Sequence, residues 1–211
     1  MNEFLQSLRT EAWRTAGARY NAARRLKLKD SLATFSIAMF SAIGIALAFV
    51  QKVYVQPSTP LLDSYITIIS ASIGLFTLVI SLIEWGASGA VKADTLHRNA
   101  ELLNAFQRKI EQDLAAVIPL DEALATARRL EYERIKADCE YNHEPVDDWY
   151  FRAKHRLSEE FRKDCMPDGI PQMNWFEGKW AELMAFWIAV RAYLAFWIVI
   201  LVLLLKMPWG H

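Results

Sequence analysis

Long uncharged stretches and helical-period stripes follow one another along this chain, and together they predict helices throughout. Ser31–Val50 and Ser64–Ile83 are each 20 residues long and carry no charged side chain. At roughly 1.5 Å per residue, each matches the roughly 30 Å hydrocarbon core of a bilayer. Gln51–Asp63, with Pro57 and Pro60, joins them. Residues 31–83 therefore read as a transmembrane helical hairpin. A third stretch, Leu183–Leu205, is 23 residues long and interrupted only by Arg191. Its uncharged part, Ala192–Leu205, would span about 21 Å, less than a full crossing. With Arg191 snorkelling to the headgroups, and Trp187 and Trp209 at the two interfaces, residues 181–211 are read as a third, C-terminal transmembrane helix. An interfacial or re-entrant segment is the alternative.

The polar segments keep the helical period. Residues 1–30, rich in Ala, Leu and Arg with Gly17 alone as a breaker, read as a basic helix leading into the first apolar run. After Ile83, Gly86 and Gly89 leave open a continuous helix or a hinge. Val91, Leu96, Leu103, Phe106, Ile110, Leu114 and Val117 then recur at helical spacing, and Pro119 ends the pattern. Leu120–Cys139 restarts with Asp121 and Glu122 in a first turn and Leu124, Ala127, Leu130 and Ile135 on one stripe. Tyr141–Asp148 reads as a loop around Pro145, Trp149–Cys165 as a short amphipathic helix, and Met166–Asn174 as a second break. The fold class is all-α: a basic helix over 1–30, the hairpin over 31–83, a cytoplasmic helical domain over 84–180 and the third span over 181–211.

Charge sets the orientation. The 211 residues have a formal net charge of zero, but residues 1–30 hold seven Lys or Arg against three acids. Arg24, Arg25, Lys27 and Lys29 crowd the start of the first run, whereas 51–63 holds Lys52 alone. Basic flanks stay cytoplasmic, so both ends of the hairpin are expected inside, its loop outside and the C-terminus outside. A topology role for this cluster is preferred over contact with anionic lipid or nucleic acid. No cleavable signal peptide is expected, because the first 30 residues lack an apolar core. Two cysteines, Cys139 and Cys165, are too few for a disulfide framework and are expected as free thiols.

Enzyme chemistry finds no support. No nucleophile elbow, phosphate-cradling glycine loop, zinc-protease helix or dinucleotide fingerprint is present. Cys139, His143, His155 and Cys165 fit no tight zinc knuckle, and no cofactor is expected. Asp147–Asp148 and Glu159–Glu160 read as solvated or helix-capping acids. The second apolar run is more informative. Thr67, Ser70, Gly74, Thr77, Ser81 and Glu84 step by three and four, so they share one helix face, opposite Ile66, Ile69, Ile73, Phe76, Ile80 and Ile83. A hydroxyl stripe ending in a carboxylate suits a water-filled pore with a cation-selecting ring. Close helix packing through small residues is an equal reading. On the first run, Thr34, Ala38, Ala42 and Ala46 form a small stripe that suits packing. Two further groups suit a polyanion: Arg128 and Arg129 with Arg134 and Lys136, and Trp149, Arg152, Lys154 and Arg156, where aromatics and bases interleave. For the second group, a buried aromatic stripe with a solvated basic edge is the simpler reading.

The layout resembles a known family. A basic helix (AWRTAGARYNAARRLKLKDS), a two-helix membrane hairpin and a helix of the type KADTLHRNAELLNAFQRKI look like the SLATT domains, two-transmembrane effector modules of bacterial conflict systems. The resemblance covers residues 10–165, and the extra C-terminal segment looks like a subgroup that carries one. It implies a membrane effector that permeabilises the bacterial inner membrane when a nucleotide-synthesising partner signals infection. The chain is also similar to the membrane component of the Hailong defence system, in which a nucleotidyltransferase makes a single-stranded DNA that holds an oligomeric channel closed. From residues and resemblance together, the expectation is a homo-oligomer, tetrameric by preference. It would be gated by a nucleotide second messenger or single-stranded DNA, with Thr67, Ser70, Gly74, Thr77, Ser81 and Glu84 at the pore and Arg128, Arg129, Trp149, Arg152, Lys154 and Arg156 at the ligand. The alternative is a non-conducting membrane anchor that recruits a cytoplasmic enzyme.

Overall fold

The structure, a computed structural model, describes residues 2–55, 59–116, 121–163 and 169–208. Pro57, Val117, Pro119, Leu120, Cys165, Met166 and Trp209, each given a role above, lie outside the described residues. The elements are α1 (Asn2–Tyr54), α2 (Pro60–Ala87), α3 (Gly89–Ala115), α4 (Glu122–Ala137), α5 (Pro145–Lys154), a 3-10 turn (Glu159–Phe161) and α6 (Trp175–Leu205). Among the described residues the sole β contact is an isolated bridge between Arg162 and Pro171. The fold is all-α. Three helices, α1, α2 and α6, are long and apolar enough to cross a membrane.

The chain divides into two compact units, residues 1–27 with 90–188 and residues 28–89 with 189–211. In the second, Ala33, Phe40 and Leu47 of α1, Ile66, Ile69, Ile73 and Ile80 of α2, and Tyr193 and Ile200 of α6 form one core with Met207. Polar side chains cross-link it. Trp197 Nε1 donates to Ser36 Oγ at 3.1 Å, and Tyr65 OH donates to the Leu203 carbonyl at 3.0 Å. Such bonds hold membrane helices together where the hydrophobic effect between them is weak. Tyr193 meets Glu84 near the end of α2, while Leu203 meets Tyr65 near its start. Thus α6 runs antiparallel to α2, and its C-terminal end lies beside the 51–63 connection.

In the first unit, α1 lays Leu5, Leu8, Ala12 and Ala16 against Leu103, Phe106 and Ile110 of α3 and Tyr132 of α4. Ala22 and Ala23 continue the stripe against Ala93, Leu96 and Cys139. The expected stripe of α3 is therefore present, although Val91 is exposed. The stripe expected on α4 is present in part: Ile135 packs against this core and Leu124 is half-buried, but Ala127 and Leu130 are exposed. Leu130 is 65% exposed, and Ala125 and Tyr132 are buried instead, because Tyr132 stacks on Phe106 at 5.8 Å. Two boundaries also differ from expectation. Pro145 begins α5 rather than centring a loop, since its missing N–H is harmless in a first turn and Asp147 accepts the Glu144 backbone N–H at 2.9 Å. The helix expected over Trp149–Cys165 ends at Lys154, and Phe161 turns back into an aromatic cluster with Trp13, Phe151 and His155.

The basic cluster of α1 is also corrected in part. Arg25 makes a fork to Asp147, Nε to Oδ1 and Nη2 to Oδ2 both at 2.9 Å, with side chains 7% and 2% exposed. Burial alone would lower the Arg25 pKa, but Asp147, aided by Glu144, holds it above its ordinary value. The pair is internal to the first unit, so this arginine does not serve as a free flanking charge. Asp147 and Asp148 are not solvated either, because Asp148 forks to Arg14 at 2.6 Å.

Gly17 is where α1 and α5 touch. A Cβ placed there would lie 2.0 Å from Phe151 Cε2. Gly17→Ala should lower the unfolding stability of detergent-solubilised protein by about 1–3 kcal/mol. Gly74→Ala, with nothing within 4 Å, should not lower it. A Gly17→Ala protein with the wild-type unfolding midpoint would contradict this packing.

Candidate functional site: the polar face of the second membrane helix

Helix α2 forms from an apolar run with Pro60 at its first turn, and it ends where Ser88 adopts the left-handed conformation, φ 49° and ψ 39°. That conformation is unusual for a residue with a Cβ. Of the two openings left by Gly86 and Gly89, the structure has the break. Gly89 restarts the backbone as α3.

The two faces of α2 differ. Ile66, Ile69, Ile73 and Ile80 are buried in the core, and Phe76 meets Phe196 at 5.1 Å between ring centroids. Ile83, expected on this face, is instead 58% exposed, because the core ends at Ile80. On the other face, Thr67, Gly74 and Ser81 are exposed, and Ser70, Thr77 and Glu84 are half-buried. The isoleucine face is therefore the main surface through which α2 packs on its own chain, and the hydroxyl stripe touches that chain at Thr67, Ser70 and Glu84. On α1, Thr34, Ala38, Ala42 and Ala46 are all exposed, whereas Ala33, Ser36, Phe40 and Leu47 do the packing. The packing role expected for that small-residue stripe does not occur within the chain.

The hydroxyls have a consistent chemistry. Thr67, Thr77 and Ser81 each donate to the carbonyl four residues earlier, at 2.9, 2.9 and 2.8 Å. With the proton committed to the helix, each oxygen turns lone pairs outward, as a surface that solvates cations must. Thr67 Oγ1 also accepts from Gln51 Nε2 at 3.1 Å, and the same amide reaches Asp63 at 2.7 Å, tying the two ends of the hairpin. Ser70 Oγ is enclosed and has no partner among the described residues. At the far end, Tyr193 OH donates a short hydrogen bond to Glu84 Oε1. Tyr193 is 7% exposed. Arg191, two residues before it on α6, is exposed and has no acidic partner among the described residues.

A family model for the SMODS and SLOG-associating 2TM effector domain, family 5, matches residues 1–207. The chain belongs to this family. No curated protein and no solved structure matches it. Membership makes it a membrane effector domain of nucleotide-signalling defence. The family's name counts two transmembrane helices, yet the match continues past residue 165, where the resemblance had been placed, and runs through α6. The third long apolar helix is thus part of this SLATT domain.

The six ligand-contact candidates of this SLATT chain do not converge. Arg128 forks to Asp113, at 2.6 and 3.0 Å, and bonds Glu131 at 3.0 Å. Arg129, one residue on, is exposed. Trp149 packs beside Ala153, Met173 and Ala181. Arg152 donates to Gln172 at 3.2 Å, Lys154 sits over the Tyr150 ring at 5.3 Å, and the Arg156 stem lies against Gly178. Phe151, between them in sequence, is buried against Trp13. Sequence reasoning missed Tyr193, although a phenol in an otherwise apolar run was the available signal.

The Tyr193–Glu84 bond can be measured. A double-mutant cycle of Tyr193→Phe and Glu84→Gln, read by unfolding in detergent, should return a coupling of about 1.5–3 kcal/mol, the range for hydrogen bonds to charged groups. A coupling near zero would mean that the bond is not made.

Proposed function

We propose that this SLATT domain assembles as a homo-oligomer, a tetramer by preference, and forms a gated ion-conducting pore that depolarises the bacterial inner membrane. The observation that carries this reading is the outward direction of the α2 hydroxyl stripe, with its isoleucine face already committed to the chain's own core. Steps of three and four average 3.5 residues, the period that keeps a stripe on one seam of supercoiled helices. In such an assembly Thr67, Ser70, Gly74, Thr77 and Ser81 line the water path and Glu84 selects cations at its end. Residues 1–27 with 90–188 are cytoplasmic in this reading, and they receive a nucleotide or single-stranded DNA made by a partner nucleotidyltransferase, as in the Hailong-type systems that the sequence resembles. Ser88, where α2 gives way to α3, is where the signal would act on α2. No enzymatic activity of the chain itself is required.

A non-conducting anchor that recruits a cytoplasmic enzyme makes a different prediction in planar bilayers. The pore reading expects purified protein to conduct, Glu84→Gln to weaken cation preference, and Glu84→Lys to reverse it or abolish both conductance and toxicity in cells. Conductance and killing that survive Glu84→Lys unchanged would remove Glu84 from the pore. Silence of the wild-type protein with every nucleotide tried would favour the anchor.

A further inference from the structure

Arg19 is buried, 4% exposed, and has no carboxylate partner among the described residues. Every other strongly buried or forked arginine of this unit has one: Arg14 has Asp148, Arg25 has Asp147 and Arg128 has Asp113. Arg19 instead donates from Nη1 to Asn99 Oδ1, and Asn99 is itself fixed by a 2.6 Å bond from Nδ2 to the Ile135 carbonyl. Its Nε is enclosed and unpartnered, as is Nδ1 of His143. Burying an unpaired charge is costly, so its retention needs a reason.

The reason is visible around it. Arg19 and His143 line a cavity of about 500 Å³ together with Thr15, Tyr132 and Cys139. Three acids, Glu11, Glu133 and Glu140, also line it, but all three are exposed. Glu133 is paired with Lys136 at 3.3 Å, and Glu11 accepts from Tyr132 OH at 3.1 Å. The cationic group is thus at the buried end and the carboxylates are at the solvated rim. We propose that this cavity binds a soluble, phosphate-bearing small molecule, with the free edge of the Arg19 guanidinium taking the phosphate and the His143 ring beside it. A guanidinium fork matches phosphate geometry, and the volume lies within the usual range of small-molecule sites, roughly 300–1,000 Å³. Burial lowers the pKa of both Arg19 and His143, a cost that a bound anion would offset. That the ligand gates a pore rests on the reading above; that it binds here does not.

The test uses the full chain in a phosphate-free maltoside detergent, with inorganic phosphate and adenosine monophosphate as probes and acetate at equal ionic strength as the control. Adenosine monophosphate should raise the unfolding midpoint saturably, inorganic phosphate should do so more weakly, and acetate should leave it unchanged. Arg19→Met should weaken the response at least tenfold without lowering the ligand-free midpoint, whereas Arg108→Met, at an exposed position of α3 away from the cavity, should respond as wild type. If Arg19→Met does not fold, His143→Gln decides, with a several-fold loss expected. The proposal is overturned if the wild type shows no saturable response, or if Arg19→Met or His143→Gln responds like wild type. It is also overturned if Arg19→Met lowers the ligand-free midpoint while His143→Gln binds normally, since Arg19 is then structural. Conductance enters none of these readouts, so loss of the pore reading would leave the binding result standing.

Discussion

The membrane unit depends on which face of α2 is committed to its own chain. Ile66, Ile69, Ile73 and Ile80 are packed against Phe40 of α1 and Ile200 of α6, and Thr67, Gly74 and Ser81 are left exposed outside that core. In hydrocarbon an outward row of hydroxyls is tolerable, since back-bonding to the helix satisfies the donors of Thr67, Thr77 and Ser81. It gains nothing from lipid, however. The outward lone pairs of Thr77 and Ser81 are matched by water, ions or another copy, not by lipid. The presence of α6 sharpens the point: by taking up the isoleucine face and holding Glu84 through Tyr193, it leaves the stripe as the one polar surface of α2.

The first unit is organised by different rules. Alanines and Gly17 let helices approach, and forked arginine–carboxylate pairs fix the approach geometrically. Against that pattern Arg19 stands out, because the same chemistry that pairs Arg14, Arg25 and Arg128 is missing from it. Elements of α1 serve both units, whereas α2 and α3 are separated by the left-handed Ser88.

Much of this was legible in the residues. The two 20-residue runs, the α3 stripe and the α2 stripe follow from period and length alone, and they appear where expected. What was not legible depends on tertiary partners. Leu130 carries the same helical signal as a buried leucine but loses the core position to Tyr132, which finds Phe106 to stack on. Arg25 looks like a flanking charge until Asp147, more than a hundred residues away, is brought to it. Arg152, Lys154 and Arg156 interleave with aromatics in sequence, but the helix ends and the fold directs Phe151 inwards, so the bases lose their shared face.

The central claim is that the hydroxyl face of α2 meets water in the assembled membrane protein while its leucine positions meet lipid or protein. Single cysteines introduced into a Cys139→Ser, Cys165→Ser background, and probed in intact vesicles with a membrane-impermeant thiol reagent, read this directly. Gly74→Cys, Thr77→Cys and Ser81→Cys should be modified, and Leu75→Cys, Leu78→Cys and Leu82→Cys should be protected. Protection of the hydroxyl positions with labelling of the leucines would contradict the account.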